Sequence, residues 1–169
     1  MKTGLYEEDF VLWAETQAGA LRRAADAGSN LPLDWCNLAE EIESLGRSQR
    51  RELKSRIGNL IEHLVKLELS SASQPRAGWL ETVGRERREI ELLLEDSPSL
   101  RVEVAGIASA VWPPAVKFVR KLLAERGEVS LTSREIGATG YTVEQLLEDW
   151  LPDRASPVLS TEGASRGSP

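Results

Sequence analysis

The chain has 169 residues, of which 41% are hydrophobic and 28% are charged, a balance typical of a folded, water-soluble protein. Its formal net charge of −6 argues against a dedicated nucleic-acid-binding protein, which would carry a basic surface. The single cysteine excludes an internal disulfide and a multi-cysteine zinc site.

The N-terminal segment predicts the first helix, over residues 6–27. Tyr6, Phe10 and Trp13 follow helical spacing, and three aromatic residues on one stripe more often belong to a core than to a ligand platform. The segment is acidic and has no hydrophobic run, so we expect no secretory signal. No stretch approaches about 20 apolar residues, so we also expect no membrane span and a cytoplasmic location.

Residues 34–70 predict the longest helix, because apolar residues recur there in steps of three and four. Between Leu45 and Leu53 the stripe is carried only by Gln49. Gly46 is the weak point, since a glycine inside a helix costs about 1 kcal/mol relative to alanine. It could end one helix, with Ser48 capping the next, but the continuous stripe favours a single long helix. Cys36 is expected to be a small buried apolar residue.

Three further helices are predicted, over residues 79–96, 98–126 and 143–150, with a loop at residues 127–140. Ser97 and Pro98 are expected to begin the second of these helices, and a capping box of Thr142 and Gln145 is expected to begin the third. Arg87 is expected to pair with a carboxylate. Pro113 and Pro114 predict a kink or a short break in the middle of the fourth helix. The Ser, Pro, Gly and Ala content of residues 153–169 predicts a disordered tail. The predicted fold is therefore an all-α, single-domain helical bundle over residues 1–152, with four main helices and a short C-terminal one.

The motifs of this chain resemble a known family, the bacterial domain of unknown function numbered 29. The resemblance rests on YEEDFVLW, LAEEIESLGRSQRRELKSR, EHLVK, GWLETVGRERREI, DSPSLR and YTVEQLLEDWLP, and it covers roughly residues 5–152. It implies a compact all-helical fold and carries no assigned activity. The chain departs from the family pattern at Pro113-Pro114 and at GATG before Tyr141, where the family usually has Cys-Pro.

Glu40, Glu41 and Glu43 with His63 form the candidate metal or acid–base site, because carboxylates and imidazole on bundle helices can build such sites. Glu41 and His63 are 22 residues apart, or about 33 Å along a continuous helix. They could share a site only if the chain folded back at Gly46. A histidine at the border of an apolar stripe is more often a packed, hydrogen-bonded residue.

A basic run is the candidate anion or partner contact; it consists of Arg47, Arg50, Arg51, Lys54 and Arg56. Such a run can neutralise phosphates, but no aromatic residues are interleaved for base stacking. Neighbouring acidic runs are natural partners for it within the chain or between subunits.

No glycine-rich phosphate loop and no Gly-x-Ser-x-Gly turn is present, so the sequence predicts no catalytic residue and no cofactor. The favoured function is a non-catalytic helical module that binds a protein partner or a second copy of itself. The alternatives are a metal-dependent or phosphate-acting enzyme centred on His63 and nucleic-acid binding through residues 47–56.

Overall fold

The computed structural model describes residues 4–70, 72, 75–128 and 140–152, and in this part of the chain there are helices and no strands. The predicted all-α bundle with four long helices is therefore confirmed. Most of the predicted loop at residues 127–140 and the predicted disordered tail at residues 153–169 lie outside the described residues. The elements in chain order are α1 (Leu5–Glu8), α2 (Phe10–Asp26), α3 (Trp35–Leu69), α4 (Arg76–Asp96), a 3-10 helix (Pro98–Glu103), α5 (Val104–Glu125) and α6 (Val143–Leu147).

Helix α3 is one continuous helix of 35 residues, as the apolar stripe predicted. Asp34 caps its start, where a side-chain oxygen accepts a hydrogen bond from the backbone N–H of Asn37 at 3.2 Å. At the other end, the guanidinium of Arg76 donates to the carbonyl oxygens of Leu67 and Ser70 at 3.0 and 3.1 Å. Both ends are therefore stabilised, and Gly46 does not interrupt the helix.

The two halves of α3 have different neighbours. The C-terminal half packs against α4 and α5 and forms the centre of the core, where each fully buried leucine or isoleucine contributes roughly 1.5–3 kcal/mol. Along the N-terminal half, over residues 35–52, only Ala39 and Gly46 are buried, and the neighbour is α2. Helix α2 and residues 35–52 therefore form an antiparallel pair, which we call the hairpin. The fully buried apolar residues of the C-terminal half are Leu53, Ile57, Leu60, Ile61, Leu64, Val65, Leu67 and Leu69.

The single first helix predicted over residues 6–27 is wrong, because the chain is interrupted at Asp9. This residue has an extended backbone and separates α1 from α2. One oxygen of its carboxylate caps α2 by accepting from the N–H of Leu12 at 2.9 Å. The carboxylate also accepts from the N–H and the hydroxyl of Ser99 at 2.6 and 2.9 Å. Asp9 thus stabilises the starts of two helices, which requires it to lie outside both.

Ser97 completes this contact from the other side. It precedes Pro98 at the start of the 3-10 helix, as predicted, but its hydroxyl accepts a hydrogen bond from the backbone N–H of Val11 at 3.2 Å. Ser97 is fully buried, and Asp9 is only 7% exposed. Asp9, at the start of α2, therefore accepts hydrogen bonds from the 3-10 helix, and Ser97, at the start of the 3-10 helix, accepts one from α2. These buried hydrogen bonds hold α2 against the end of α4.

The other element boundaries differ from the predictions in smaller ways. Helix α4 begins at Arg76, three residues before the predicted start at residue 79. The predicted fourth helix, 98–126, begins with a 3-10 turn before α5. The short break predicted at Pro113 and Pro114 does not occur, because both prolines lie on the exposed side while Trp112 and Ala115 hold the helix to the core.

Helix α6 begins with the predicted capping box, in which Thr142 and Gln145 exchange hydrogen bonds of 2.9 and 3.2 Å. It ends at Leu147, three residues before the predicted end at residue 150. The guanidinium of Arg87 in α4 accounts for the early end. It donates to the carbonyl oxygens of Gln145, Leu146 and Trp150 at 2.9, 2.9 and 2.5 Å. These hydrogen bonds stabilise a non-helical turn after Leu147.

The stretch Pro98–Glu125 is long and apolar enough to cross a membrane by length and composition alone. Its buried side, which includes Val104, Val119 and Leu123, belongs to the core. Core helices of water-soluble proteins meet the same criterion. The absence of a membrane span and the cytoplasmic location therefore stay predictions.

Candidate functional site

The hairpin has one charged side. Glu40, Glu43 and Arg47 of α3 lie on it, facing Arg22 of α2. The Arg22–Glu43 contact is 2.5 Å long, and this hydrogen bond lowers the pKa of Glu43 and raises the pKa of Arg22. These groups are largely exposed, so each pair contributes little to stability. The ion pairs do, however, fix which side of the hairpin is polar.

The opposite side is apolar and partly exposed. At about 100° per residue, Leu38, Ile42, Leu45 and Gln49 lie on the flank of α3 turned away from the ion pairs. Leu38 and Leu45 are 39% and 45% exposed. We call this side of the hairpin the open face, and it consists of Tyr6, Phe10, Trp13, Gln17, Leu38, Ile42, Leu45 and Gln49.

Three aromatic rings form the part of the open face that lies on α1 and α2. The ring of Tyr6 lies edge-on to those of Phe10 and Trp13, with centroid distances of 5.7 and 4.8 Å. Phe10 and Trp13 stack on each other at 5.7 Å. Tyr6 is 54% exposed, and the other two rings are half-buried. The expectation that this stripe belongs to the core is therefore wrong: the rings pack on one another at the surface.

A pocket of about 380 Å³ lies at the base of the open face, where the hairpin meets the end of α4. It is lined by Tyr6, Glu7, Phe10, Gln49 and Asp96. The side-chain oxygen of Gln49 is buried and has no hydrogen-bond partner in the described part of the chain. The sequence did not predict this pocket. The one available signal was Gln49, a polar residue within an apolar stripe.

The basic run is largely occupied by carboxylates of the same chain. Arg47 pairs with Glu40 at 2.6 Å. Arg50 pairs with Glu15 and Glu103 at 2.7 and 2.8 Å, and the hydrogen bond to Glu103 raises its pKa.

Arg56 lies among Glu52, Glu86 and Glu89 at 3.2–3.4 Å. Of the five basic residues, Arg51 and Lys54 alone are exposed without an ion pair within residues 4–70, 72, 75–128 and 140–152. A phosphate would have to compete with internal carboxylates for the other three.

The structure does not bring the candidate metal residues together. Because α3 is continuous, Glu41 and His63 lie about 33 Å apart along its axis. Glu40 pairs with Arg47, and Glu41 is exposed. Among the described residues, no three His, Cys, Asp or Glu side chains are grouped to hold a metal ion.

His63 is half-buried in the C-terminal half of α3. Its Nδ1 lies 2.8 Å from the carbonyl oxygen of Asn59, so this nitrogen donates the hydrogen bond. Burial lowers the pKa of the imidazole, and the nearby ammonium of Lys66 lowers it further. The histidine is thus a packed, hydrogen-bonded residue. Cys36, expected to be buried, is exposed, because it lies outside the narrow contact between α2 and α3.

Comparison with known proteins gives a family and a fold. A family model described as "Domain of unknown function DUF29" matches residues 5–151. A crystal structure of an alpha-helical protein of unknown function from Rhodospirillum rubrum ATCC 11170 is similar, with a TM-score of 0.69 and 25% sequence identity. The similarity covers 88% of this chain and 92% of that chain. No curated protein matches.

Proposed function

The chain belongs to the DUF29 family, and we propose that it acts as a protein–protein interaction module whose partner is a second copy of the same chain. The proposed contact surface is the open face of the hairpin. The observation that carries the proposal is that two neighbouring helices present apolar stripes on the same side, on which Leu38 and Leu45 are exposed.

The two stripes have the spacing of helices in a bundle. Leu38, Ile42, Leu45 and Gln49 follow one another at steps of four, three and four residues. In α2, Phe10, Trp13 and Gln17 follow at steps of three and four, and Tyr6 lies before them in α1. This is the pattern of core positions in a coiled coil or a four-helix bundle. A hairpin with two such stripes is half of a four-helix bundle, and a second hairpin would complete it.

The size of the exposed side chains also supports the open face as a contact surface. Single exposed leucines are ordinary on protein surfaces, whereas several large apolar side chains in one patch mark contact sites. The open face combines Leu38, Leu45 and Tyr6, each more than a third exposed, with the half-buried ring of Trp13. Tyrosine and tryptophan are also enriched in the buried centres of protein interfaces.

Charge favours a second copy as the partner. The chain carries a net charge of −6, so two copies that met through acidic surfaces would repel each other. The open face contains no Asp, Glu, Lys or Arg. Its eight residues therefore bring no like charges together between two copies, and the carboxylates of Glu7 and Asp96 lie at its base, in the pocket. A symmetric pair, in which the same patch serves both copies, is also the commonest oligomer geometry.

The charge blocks along α3 are not needed for this association. Arg47, Arg50 and Arg56 are paired within the chain, so an antiparallel pairing based on free charge blocks has little support. Association through the open face would instead bury apolar surface. Gln17 and Gln49 would be the polar residues within the stripes, a role in which amides set the register of paired helices.

A charged substitution on the open face tests the proposal. The variant carrying Leu38→Glu and Leu45→Glu should be a folded monomer by circular dichroism and by light scattering coupled to size exclusion. The wild-type chain should be a dimer under the same conditions. Leu92→Glu is the matched control, because Leu92 is 46% exposed but lies on α4, outside the open face.

The control variant should remain a dimer. A wild-type chain that is monomeric at the highest attainable concentration would overturn self-association and leave a different protein as the occupant of the open face. A double variant that is still dimeric would show that the copies meet elsewhere.

A further inference from the structure

The pocket at the base of the open face is lined by aromatic and acidic residues. We propose that it binds an organic cation: a guanidinium or primary ammonium group on a short aliphatic chain. This inference goes beyond self-association, because it concerns a ligand in the cavity between Tyr6, Phe10 and Asp96. Its volume of about 380 Å³ lies within the range of small-ligand pockets.

The aromatic walls favour a cation. Tyr6 and Phe10 line the pocket, and their rings are held by contacts with each other and with Trp13. The face of an aromatic ring attracts Lys-type and Arg-type cations, and the aliphatic chain behind such a head group can pack against the same rings.

The polar residues that line the pocket also favour a cation. Glu7 and Asp96 supply two carboxylates, and neither forms an ion pair with any described residue. Glu7 accepts one hydrogen bond, from the backbone N–H of Gly4 at 3.0 Å. Gln49 adds an amide oxygen without a hydrogen-bond partner in the described chain. The lining thus offers acceptors and negative charge and holds no Lys or Arg to balance them.

The same lining argues for an organic cation over a metal ion. Hard divalent cations take six or more oxygen ligands at short range. The pocket has two carboxylates and one amide separated by aromatic rings, and no group of three acidic side chains is close enough to hold a metal among the described residues. A guanidinium needs fewer acceptors and gains from the rings.

Calorimetric titration of the full chain with N-acetyl-arginine amide tests the proposal. The neutral, nearly isosteric N-acetyl-citrulline amide is the ligand control. Asp96→Asn should weaken arginine binding at least about fivefold, and Tyr6→Leu about threefold or more. Glu95→Gln is the matched control, because Glu95 is exposed beside Asp96 but does not line the pocket, and it should change binding less than about twofold.

Agmatine, which carries the same guanidinium with a free primary ammonium in place of the peptide groups, distinguishes the source of the ligand. Tighter binding of agmatine assigns the pocket to free amines, and tighter binding of the arginine amide assigns it to basic side chains of a protein. The proposal would be overturned if the arginine and citrulline amides bound with equal affinity, or if neither bound. Equal losses of arginine affinity in Asp96→Asn and Glu95→Gln would also overturn it. The titration is repeated on the Leu38→Glu, Leu45→Glu variant, so that cation binding is judged separately from self-association.

Discussion

Gly46 of α3 packs against Ala14 of α2 with room between them for one methyl group. A Cβ at Gly46 would lie 3.7 Å from the Cβ of Ala14 and 3.8 Å from Val11, which is ordinary van der Waals contact. The small residues at this crossing let the two helices of the hairpin approach closely. That approach leaves the larger residues on the two flanks, one charged and one apolar.

Gly46→Ala should stabilise the protein by about 0.5–1 kcal/mol, because alanine is the better helix former and its methyl group fits. In thermal melts this corresponds to a rise of roughly 1–4 °C. Gly58→Ala is the comparison, since a Cβ at this α3 position meets nothing within 4 Å and should give a similar gain. Gly46→Leu should instead destabilise by roughly 1–3 kcal/mol through overpacking. A loss of stability in Gly46→Ala would show that the helices are closer than described.

Asp9→Ala should cost roughly 1–3 kcal/mol in urea unfolding, because it removes a helix cap and leaves the donors of Ser99 without their acceptor in a buried position. Asp34→Ala is the control. Asp34 caps α3 in an exposed position and should cost about 1 kcal/mol or less. Equal losses in the two variants would mean that the contact between Asp9 and Ser99 contributes nothing beyond ordinary capping.

Arg87→Met should loosen α6, because the carbonyl oxygens of Gln145, Leu146 and Trp150 lose their donor. We expect hydrogen exchange at residues 143–147 to accelerate roughly tenfold, which corresponds to about 1.4 kcal/mol of local stability. The adjacent and exposed Arg88 provides the control, and Arg88→Met should leave exchange in α6 unchanged. Unchanged exchange in Arg87→Met would contradict the contact.

His63 should titrate below its ordinary value of about 6.5, because burial disfavours the imidazolium. Below that value the unfolded state binds more protons than the folded state, so stability should fall as the pH drops from about 6.5 toward 5. His63→Gln should flatten this dependence. The chain has a single histidine, so its NMR titration is unambiguous. A measured pKa at or above the ordinary value would contradict the described environment.

The sequence predicted features that depend on local pattern. The single long helix α3 follows from apolar residues in steps of three and four, and the start of α6 follows from the capping box of Thr142 and Gln145. Family resemblance, the number of long helices and the α3 boundaries were recovered for the same reason. Each is encoded by residues that are neighbours in the chain.

What the sequence did not predict depends on contacts between distant residues. The interruption at Asp9 depends on Ser99, 90 positions away. The early end of α6 depends on Arg87, which we expected to pair with a carboxylate. The open face was mistaken for core, because a stripe at Tyr6, Phe10 and Trp13 has the same spacing whether or not another element covers it. The pocket is lined by residues of α1, α2, α3 and α4, and the spacing of residues within one helix does not predict which helices meet.

The central claim is that two copies associate through the uncharged open face, and sedimentation equilibrium of the wild-type chain tests it most directly. Over about 10–500 µM protein, we predict a dimer whose dissociation constant stays the same or decreases between about 0.05 and 0.5 M salt, because burial of apolar surface is not screened. A chain that stays monomeric over this range, or a dimer that dissociates as salt is raised, would contradict the claim.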